Sequence, residues 1–283
     1  MNPPETAARD VAAIAVPLAG VPILVVTRFS FVGQSGWQGE ASRDADLLFQ
    51  PDRLRRRLAL FSSITLPSLA LQTSRDFRHV ILTSDRLPDR AMQDLQTACI
   101  EAYGDGARFD ILARPPSLAR RPLRNYMETG FPGQTVAQVV LDDDDGLSVD
   151  FIGLLRQDLA MLEAERPAMQ TELPYFLSYP LGYGLVFAED GGAEVYSHRY
   201  PFINAGLTMI GTPNGKNILG INHLAAPRKF GARLVRRRRM FLRSVHGFND
   251  SRVSPTERWQ ALPDWRADDD LRTRFPYVLT AAG

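Results

Sequence analysis

The chain has 283 residues, of which 45% are hydrophobic and 23% charged, with a formal net charge of +1. This composition excludes a disordered or fibrous chain and leaves room for a large core, while the near-neutral charge excludes whole-molecule attraction to nucleic acid, so any basic function is local. The single cysteine, Cys99, excludes an internal disulfide and any site built from several thiolates.

Residues 1–20 read as a loose N-terminal arm. The apolar patch at 11–20 follows Glu5, Arg9 and Asp10 and is broken by Pro17. It is too short to span a bilayer and lacks the basic start of a secretory leader, so the expectation is a cytoplasmic protein. The run 21–27 is almost continuously apolar, which suits a strand covered on both faces of a parallel sheet. It ends with Thr27 and Arg28, at a strand's carboxyl end, where open α/β sheets bind ligands. Residues 31–50, with three glycines, predict a loop. Leu54, Leu58, Phe61, Ile64 and Leu69 recur at helical spacing and predict a helix over 52–71 that Pro67 kinks or divides. Arg53, Arg55, Arg56 and Arg57 at its start read as a solvated basic face, with phosphate contact as the sharper alternative.

A second strand is expected over 77–83, a helix bearing Cys99 over 89–103, and a third strand over 109–112. After a stretch rich in Pro and Arg, a helix start is expected at 125–128 and a further strand over 136–141. Asp142, Asp143, Asp144 and Asp145 then precede Gly146, and a helix is expected over 149–165. This alternation points to right-handed crossovers and a mostly parallel α/β sheet flanked by helices, with 21–165 as one half of the molecule. The texture changes beyond Pro174. Segments 182–188 and 193–198 predict a hairpin, and 202–210 a strand. The tract 227–243 holds Arg228, Lys229, Arg233, Arg236 to Arg239 and Arg243 with no acidic residue. It leads into Val245 and His246, closing a smaller mixed region over 166–255. The polar, proline-interrupted stretch 256–283 is expected to wrap the surface as a tail.

The aspartate block carries the most chemistry. At an effective dielectric near 20, two carboxylates roughly 6 Å apart repel by about 3 kcal/mol, so such a cluster is solvated, partly protonated or bound to a cation. Oxygen ligands without a neighbouring Cys or His favour a hard ion such as Mg²⁺ or Mn²⁺. An acidic surface turn is the plain alternative.

The segments Thr27-Arg-Phe-Ser30, Leu66-Pro-Ser-Leu69, 77–85, Leu141-Asp-Asp-Asp-Asp-Gly-Leu147 and Val245-His-Gly-Phe-Asn249, taken in order, resemble a glycosyltransferase of the GT-A (Rossmann-like) fold. More narrowly, they resemble a bacterial rhamnosyltransferase family, over about residues 21–255. The resemblance implies that Asp142 and Asp144 occupy the two places of an Asp-x-Asp motif, with Asp143 between them and Asp145 adjacent. It implies that His246 returns late in the chain to complete the metal site of Asp142, Asp144 and Asp145. It also implies an acid near the nucleotide at Asp85 and an Arg-Asn pair near the diphosphate at Arg124 and Asn125, with Thr27, Arg28 and Asp143 on the donor side. The implied activity is Mn²⁺- or Mg²⁺-dependent transfer of a sugar, for which the family label suggests rhamnose and hence a donor such as dTDP-rhamnose, to a hydroxyl of a glycan or lipid-linked acceptor.

An inverting transfer needs a general base, and Asp190, His223 and Asp250 are the candidates. His79, inside a strand, reads as structural, and His198 as lining the acceptor side. The arginine tract suits an anionic acceptor or peripheral contact with an anionic leaflet at the inner membrane face, where each basic residue contributes about 1 kcal/mol. Nucleic acid is disfavoured because no aromatic stacking module accompanies the arginines. Two other functions remain at this point. Asp143-Asp-Asp-Gly-Leu147 partly resembles the nucleophile loop of haloacid-dehalogenase-like phosphatases, and the arginine tract alone would suit a non-catalytic polyanion-binding protein.

Overall fold

The computed structural model describes residues 17–34, 44–104, 106–166, 173–188, 192–247 and 259–282. The strands, in chain order, are β1 (Ile23–Arg28), β2 (Gly33–Gln34), β3 (Arg78–Ser84), β4 (Phe109–Arg114), β5 (Ser117–Leu118), β6 (Val136–Val140) and β7 (Gly146–Leu147). They continue with β8 (Tyr175–Ser178), β9 (Leu181–Phe187), β10 (Ala193–Arg199), β11 (Thr208–Gly211), β12 (Gly231–Leu234), β13 (Phe241–Val245) and β14 (Gln260–Ala261). The helices are α1 (Ala45–Leu48), α2 (Pro51–Leu60), α3 (Leu66–Ala70), α4 (Asp89–Tyr103), α5 (Arg120–Gly130), α6 (Phe151–Glu165), α7 (Ala226–Lys229), α8 (Asp269–Arg274) and α9 (Tyr277–Ala281).

The main sheet has seven strands in the order β12-β8-β11-β6-β1-β3-β4. All neighbours are parallel except β11, which runs antiparallel to both β6 and β8. Successive side chains of a strand point to opposite faces, and the run at β1 is apolar on both. Ile23 and Val25 join the core cluster that includes Leu95, Leu155 and Leu159 from α4 and α6. Leu24 and Val26 join the opposite cluster, with Leu123 and Met127 from α5. Each such buried aliphatic side chain contributes about 1.5–3 kcal/mol. Cys99 lies in the first cluster, fully buried, and burial pushes its thiol up to about 12.

A second, five-stranded sheet has the order β14-β10-β9-β13-β7. The hairpin β9–β10 forms as the sequence predicts. The chain-order division at residue 165 does not divide the main sheet, because β8, β11 and β12 complete it from the later half.

Several expectations are corrected. α5 begins at Arg120 rather than near residue 125. β11 begins at Thr208, not 202, because Phe202 and Gly206 adopt positive φ values of 60° and 86°, outside the extended region of a regular strand. A π segment, Phe61–Thr65, joins α2 to α3, so the irregularity precedes Pro67, which lies in the first turn of α3 where its missing N–H costs little. The arm over 1–20 falls mostly outside the described residues, but its end is packed: Leu18 is buried and its N–H donates to Glu163 on α6 at 3.0 Å.

The surface tail is also corrected. Trp265, Leu271, Phe275, Tyr277 and Val278 are buried against Tyr183, Leu185 and Leu242 of the second sheet. The polar average of the tail hides an apolar stripe on two short helices.

His79 is wholly buried on β3 as a structural residue, its Nε2 2.9 Å from Thr27 Oγ1 and its Nδ1 2.8 Å from the Tyr103 hydroxyl. Burial lowers its pKa to about 3. Because the folded value lies below the unfolded one, the unfolded chain binds the extra proton between them and stability is lost as pH falls below about 6.5. We expect denaturant titrations at pH 7 and pH 5 to differ by roughly 2 kcal/mol from this group, with His79→Gln flattening part of that slope. An unchanged slope in the variant would refute the assignment.

Candidate functional site

β6 ends at Val140, and Leu141 N donates to Val26 O at 3.1 Å, which carries the chain to the carboxyl edge of the main sheet beside β1. The four aspartates turn there, closed by Asp145 N donating to Asp142 O at 3.2 Å. The chain then enters β7, which pairs with β13 of the second sheet. The aspartate turn is thus a covalent junction between the two sheets, as are the links β8–β9, β10–β11 and β12–β13.

Each aspartate faces a different partner. Asp142 accepts from Arg28 Nη2 at 2.9 Å, at the end of β1. Asp143 is 1% exposed and lies 3.3 Å from Arg57 Nε on α2. Asp144 Oδ2 lies 3.0 Å from His246 Nε2, a residue 102 positions later that follows β13. Asp145 Oδ1 accepts from the Ser244 N–H at 2.9 Å.

Electrostatics separate the last two. Burial alone would raise Asp144, but the hydrogen bond and charge of His246, with the nearby charge of Arg57, hold its carboxyl below the usual range. Asp145 is pushed well above that range, first by burial and then by the charges of Asp144 and Asp142. The block therefore divides its burden: Asp144 is kept ionised at the opening while Asp145 is biased toward the neutral form behind it.

The surrounding shell holds this turn in place. Thr65, the last residue of the π segment, donates from Oγ1 to Asp145 O at 2.8 Å. π segments commonly mark functional positions, and here the extra residue in the turn carries a hydroxyl to the aspartate backbone. On the far side the Tyr277 hydroxyl donates to Leu147 O at 3.0 Å. Gly146 is required there, since a Cβ at that position would collide with the Tyr277 hydroxyl. Arg274 donates to both Asp150 oxygens, to Ser148 Oγ and to Arg239 O, at 2.7–3.2 Å.

Other expected site residues are placed as follows. Thr27 is buried and turned to His79, so its hydroxyl is a structural partner rather than a donor contact. Asp85 is exposed just after β3, with its N–H bonded to Arg114 O. On α5, Arg124 is half-buried and Asn125 exposed. No hydrogen bond or ion pair brings either to the aspartates among the described residues. Asp190 and Asp250 lie outside the described residues.

His223 is half-exposed, with Nδ1 against the carbonyl of Phe202. Phe202 opens the segment whose Gly206 and Leu207 bond the backbone of Val140, so this imidazole docks on a loop that reaches the same sheet edge as the aspartates.

The expected four-ligand metal set is not assembled. Among the described residues no group of three or more His, Cys, Asp or Glu could hold a metal ion. Asp142 turns to Arg28 and Asp145 to a backbone N–H, which leaves Asp144 and His246 together.

The helix face expected of the arginines is corrected at Arg57, whose side chain is 10% exposed. The signal was present, since Arg57 stands three residues after Leu54 and four before Phe61, within the apolar stripe. The later tract is not a free polycation either: Arg233, Arg237 and Arg238 lie against Glu165, Asp158 and Asp150, acids in or beside α6. The phosphatase alternative needs Asp143 and Asp145 accessible, and they are 1% and 6% exposed. No helix among the described residues is long and apolar enough to cross a membrane.

A sequence profile of the family described as "Putative rhamnosyl transferase" matches residues 22–258. No curated protein sequence matches the chain. Solved structures match at low identity, two of TarS among them. The crystal structure of S. aureus TarS is 10% identical with a TM-score of 0.36, over 80% of this chain and 37% of that one. S. aureus TarS 1–349 in complex with UDP-GlcNAc is 12% identical with a TM-score of 0.37, over 81% and 60%. The chain therefore spans less than two thirds of the length of either.

Proposed function

Because this chain belongs to the rhamnosyl transferase family, we propose that it moves a sugar from a nucleoside diphosphate donor to a hydroxyl acceptor, at the aspartate turn, in a GT-A-like manner. The observation that carries this reading is the Asp144–His246 pair, brought to 3.0 Å across 102 residues at the carboxyl edge of the sheet. Asp144 and His246 would hold a Mn²⁺ or Mg²⁺ ion, offering it one oxygen and one nitrogen ligand. Such an ion, when bound, supplies Lewis-acid neutralisation of the charge that develops on the leaving diphosphate.

The protein's own groups have separate tasks. Arg57 and Arg28 hold Asp143 and Asp142, so only part of the aspartate charge faces the donor. His223 is the base candidate that the described residues support. The Phe202 carbonyl accepts from Nδ1–H, which fixes the tautomer and leaves the Nε2 lone pair available to take the acceptor's hydroxyl proton. The left-handed φ of 60° at Phe202 is a strained position of the kind that gathers at functional sites. A rhamnose donor such as dTDP-rhamnose is the finer form of this reading, and a glycan or lipid-linked acceptor its other half.

Thermal shifts of the purified protein with dTDP-rhamnose, UDP-GlcNAc, UDP-glucose and GDP-mannose, each with and without Mn²⁺, test it. A donor present at about a hundred times its Kd stabilises by about 2.7 kcal/mol, a rise of roughly 4–5 °C for a chain of this size. No shift with any nucleotide sugar, with or without metal, would overturn the proposal.

A further inference from the structure

The face of the second sheet opposite the tail carries a cluster of aromatic rings that the donor site does not use. Tyr196 and His198 are two residues apart on β10 and share that face. Their partners on β9 are Gly184 and Gly182, and the partners of these on β13 are Arg243 and Phe241. The middle strand therefore presents no side chains along two rows. Into that trough lies Trp259: a Cβ at Gly184 would collide with its six-membered ring. A glycine inside a strand often marks such a close approach.

The rings form a continuous surface. The His198 and Trp259 centroids are 4.1 Å apart, with Tyr196 5.9 Å from Trp259 and Tyr200 5.9 Å from His198. Tyr196, Tyr200 and Trp259 are each half-exposed, and Tyr and Trp present an apolar ring with a polar tip, as stacking surfaces require. His198 is itself buried, and its Nε2 has no hydrogen-bond partner among the described residues. Burial, with the charge of Arg243, lowers its pKa to about 4, so it is neutral at pH 7.

The cluster is continuous with the aspartate site. Arg243, on β13, is close enough to act electrostatically on both His198 and Asp145. The same strand ends one residue before His246.

Resting on the glycosyltransferase reading, we propose that Tyr196, Tyr200 and Trp259, with His198 buried against the indole as its support, form the platform on which a pyranose ring of the acceptor glycan stacks. A pyranose has one face lined by C–H groups and an edge of hydroxyls. The electron-rich faces of the half-exposed rings attract the polarised C–H groups, and the guanidinium of Arg243, half-exposed on the same face, meets the hydroxyls.

The test titrates the full chain, without nucleotide, against methyl α-L-rhamnoside, methyl β-D-glucoside, methyl β-D-galactoside and methyl N-acetyl-β-D-glucosaminide, with sorbitol as an acyclic control. Saturation-transfer NMR reports ring C–H contact. At least one pyranoside is expected to show transfer to its ring protons, with a Kd on the order of millimolar, and sorbitol none. Trp259→Ala should weaken that binding about ten-fold, Trp259→Phe by no more than about three-fold, and Gly184→Ala should reproduce the loss by lifting the indole. Melting temperatures of the three variants establish folding, and nucleotide-sugar affinity should stay within about two-fold of wild type. No ring-proton transfer with any pyranoside, or equal transfer in Trp259→Ala, would overturn the platform. Pyranoside binding with no nucleotide-sugar binding would support the platform and overturn the donor reading, so the two fail separately.

Discussion

Replacing Asp144 with Asn should abolish metal-dependent nucleotide-sugar binding and reduce transfer by roughly 100-fold or more, while the protein stays folded. The substitution keeps the shape and removes the one carboxylate that His246 holds ionised at the mouth of the turn. A full ligand charge is lost, and with it stabilisation of the leaving diphosphate worth several kcal/mol. Stability should change little, because two terms oppose each other. The favourable contact with His246 weakens, but the charge that pushes Asp145 upward also disappears. The net is expected within about 1 kcal/mol. Isothermal titration with Mn²⁺ and a nucleotide sugar, beside a denaturant melt, separates binding from folding. Unchanged Mn²⁺-dependent donor affinity would sink the role assigned to Asp144.

The second large effect is expected at Arg274, which sits in a part of the chain beyond the family match. Its guanidinium is 10% exposed and anchors Asp150, Ser148 and the Arg239 carbonyl, while its own carbonyl accepts from Val149 N–H at 2.8 Å. Arg274→Ala leaves these groups without their shared donor, which for a largely buried ion pair costs about 3 kcal/mol and lowers Tm by roughly 5 °C. Arg238→Ala is the control. Arg238 lies 3.7 Å from the same Asp150 but is 60% exposed, so its loss should cost less than about 1 kcal/mol. Equal melting temperatures for the two variants would show that Arg274 is not the anchor.

The parts of the fold that could be read from sequence are those where one residue type repeats at the period of its element. β1 is apolar from Ile23 to Val26 and β6 is apolar apart from the buried Gln138, α4 keeps its bounds at 89–103, and α6 carries Phe151, Leu155, Leu159 and Leu162 on one face. What stayed hidden departs from that rule. Arg57 has a charged head, which makes it look exposed even though its position lies in the apolar stripe. Thr65 reaches the aspartate backbone because of a π turn, for which residues 61–65 carry no sequence marker. The tail's Trp265, Phe275 and Tyr277 are diluted by polar neighbours, so its average hydropathy masks a packed helix pair.

The candidate site divides in the same way. The aspartate block announces itself by charge alone, and the pairing of Asp144 with His246 was approachable only through a resemblance that orders distant segments. The partner of each remaining aspartate depends on which side chain meets it across the sheet edge, which no local pattern encodes.

Because the aspartate turn joins β6 of one sheet to β7 of the other, its length is as constrained as its composition. Gly146 and Leu147 pair with Leu242 and Phe241 in fixed register. A residue inserted among the aspartates would shift that pairing by one and turn Leu147 from its buried face. It would also place a side chain where the Tyr277 hydroxyl rests on Gly146. Insertions and deletions within the turn are therefore not tolerable to the fold, and gaps between diverged relatives should fall in the neighbouring loops instead.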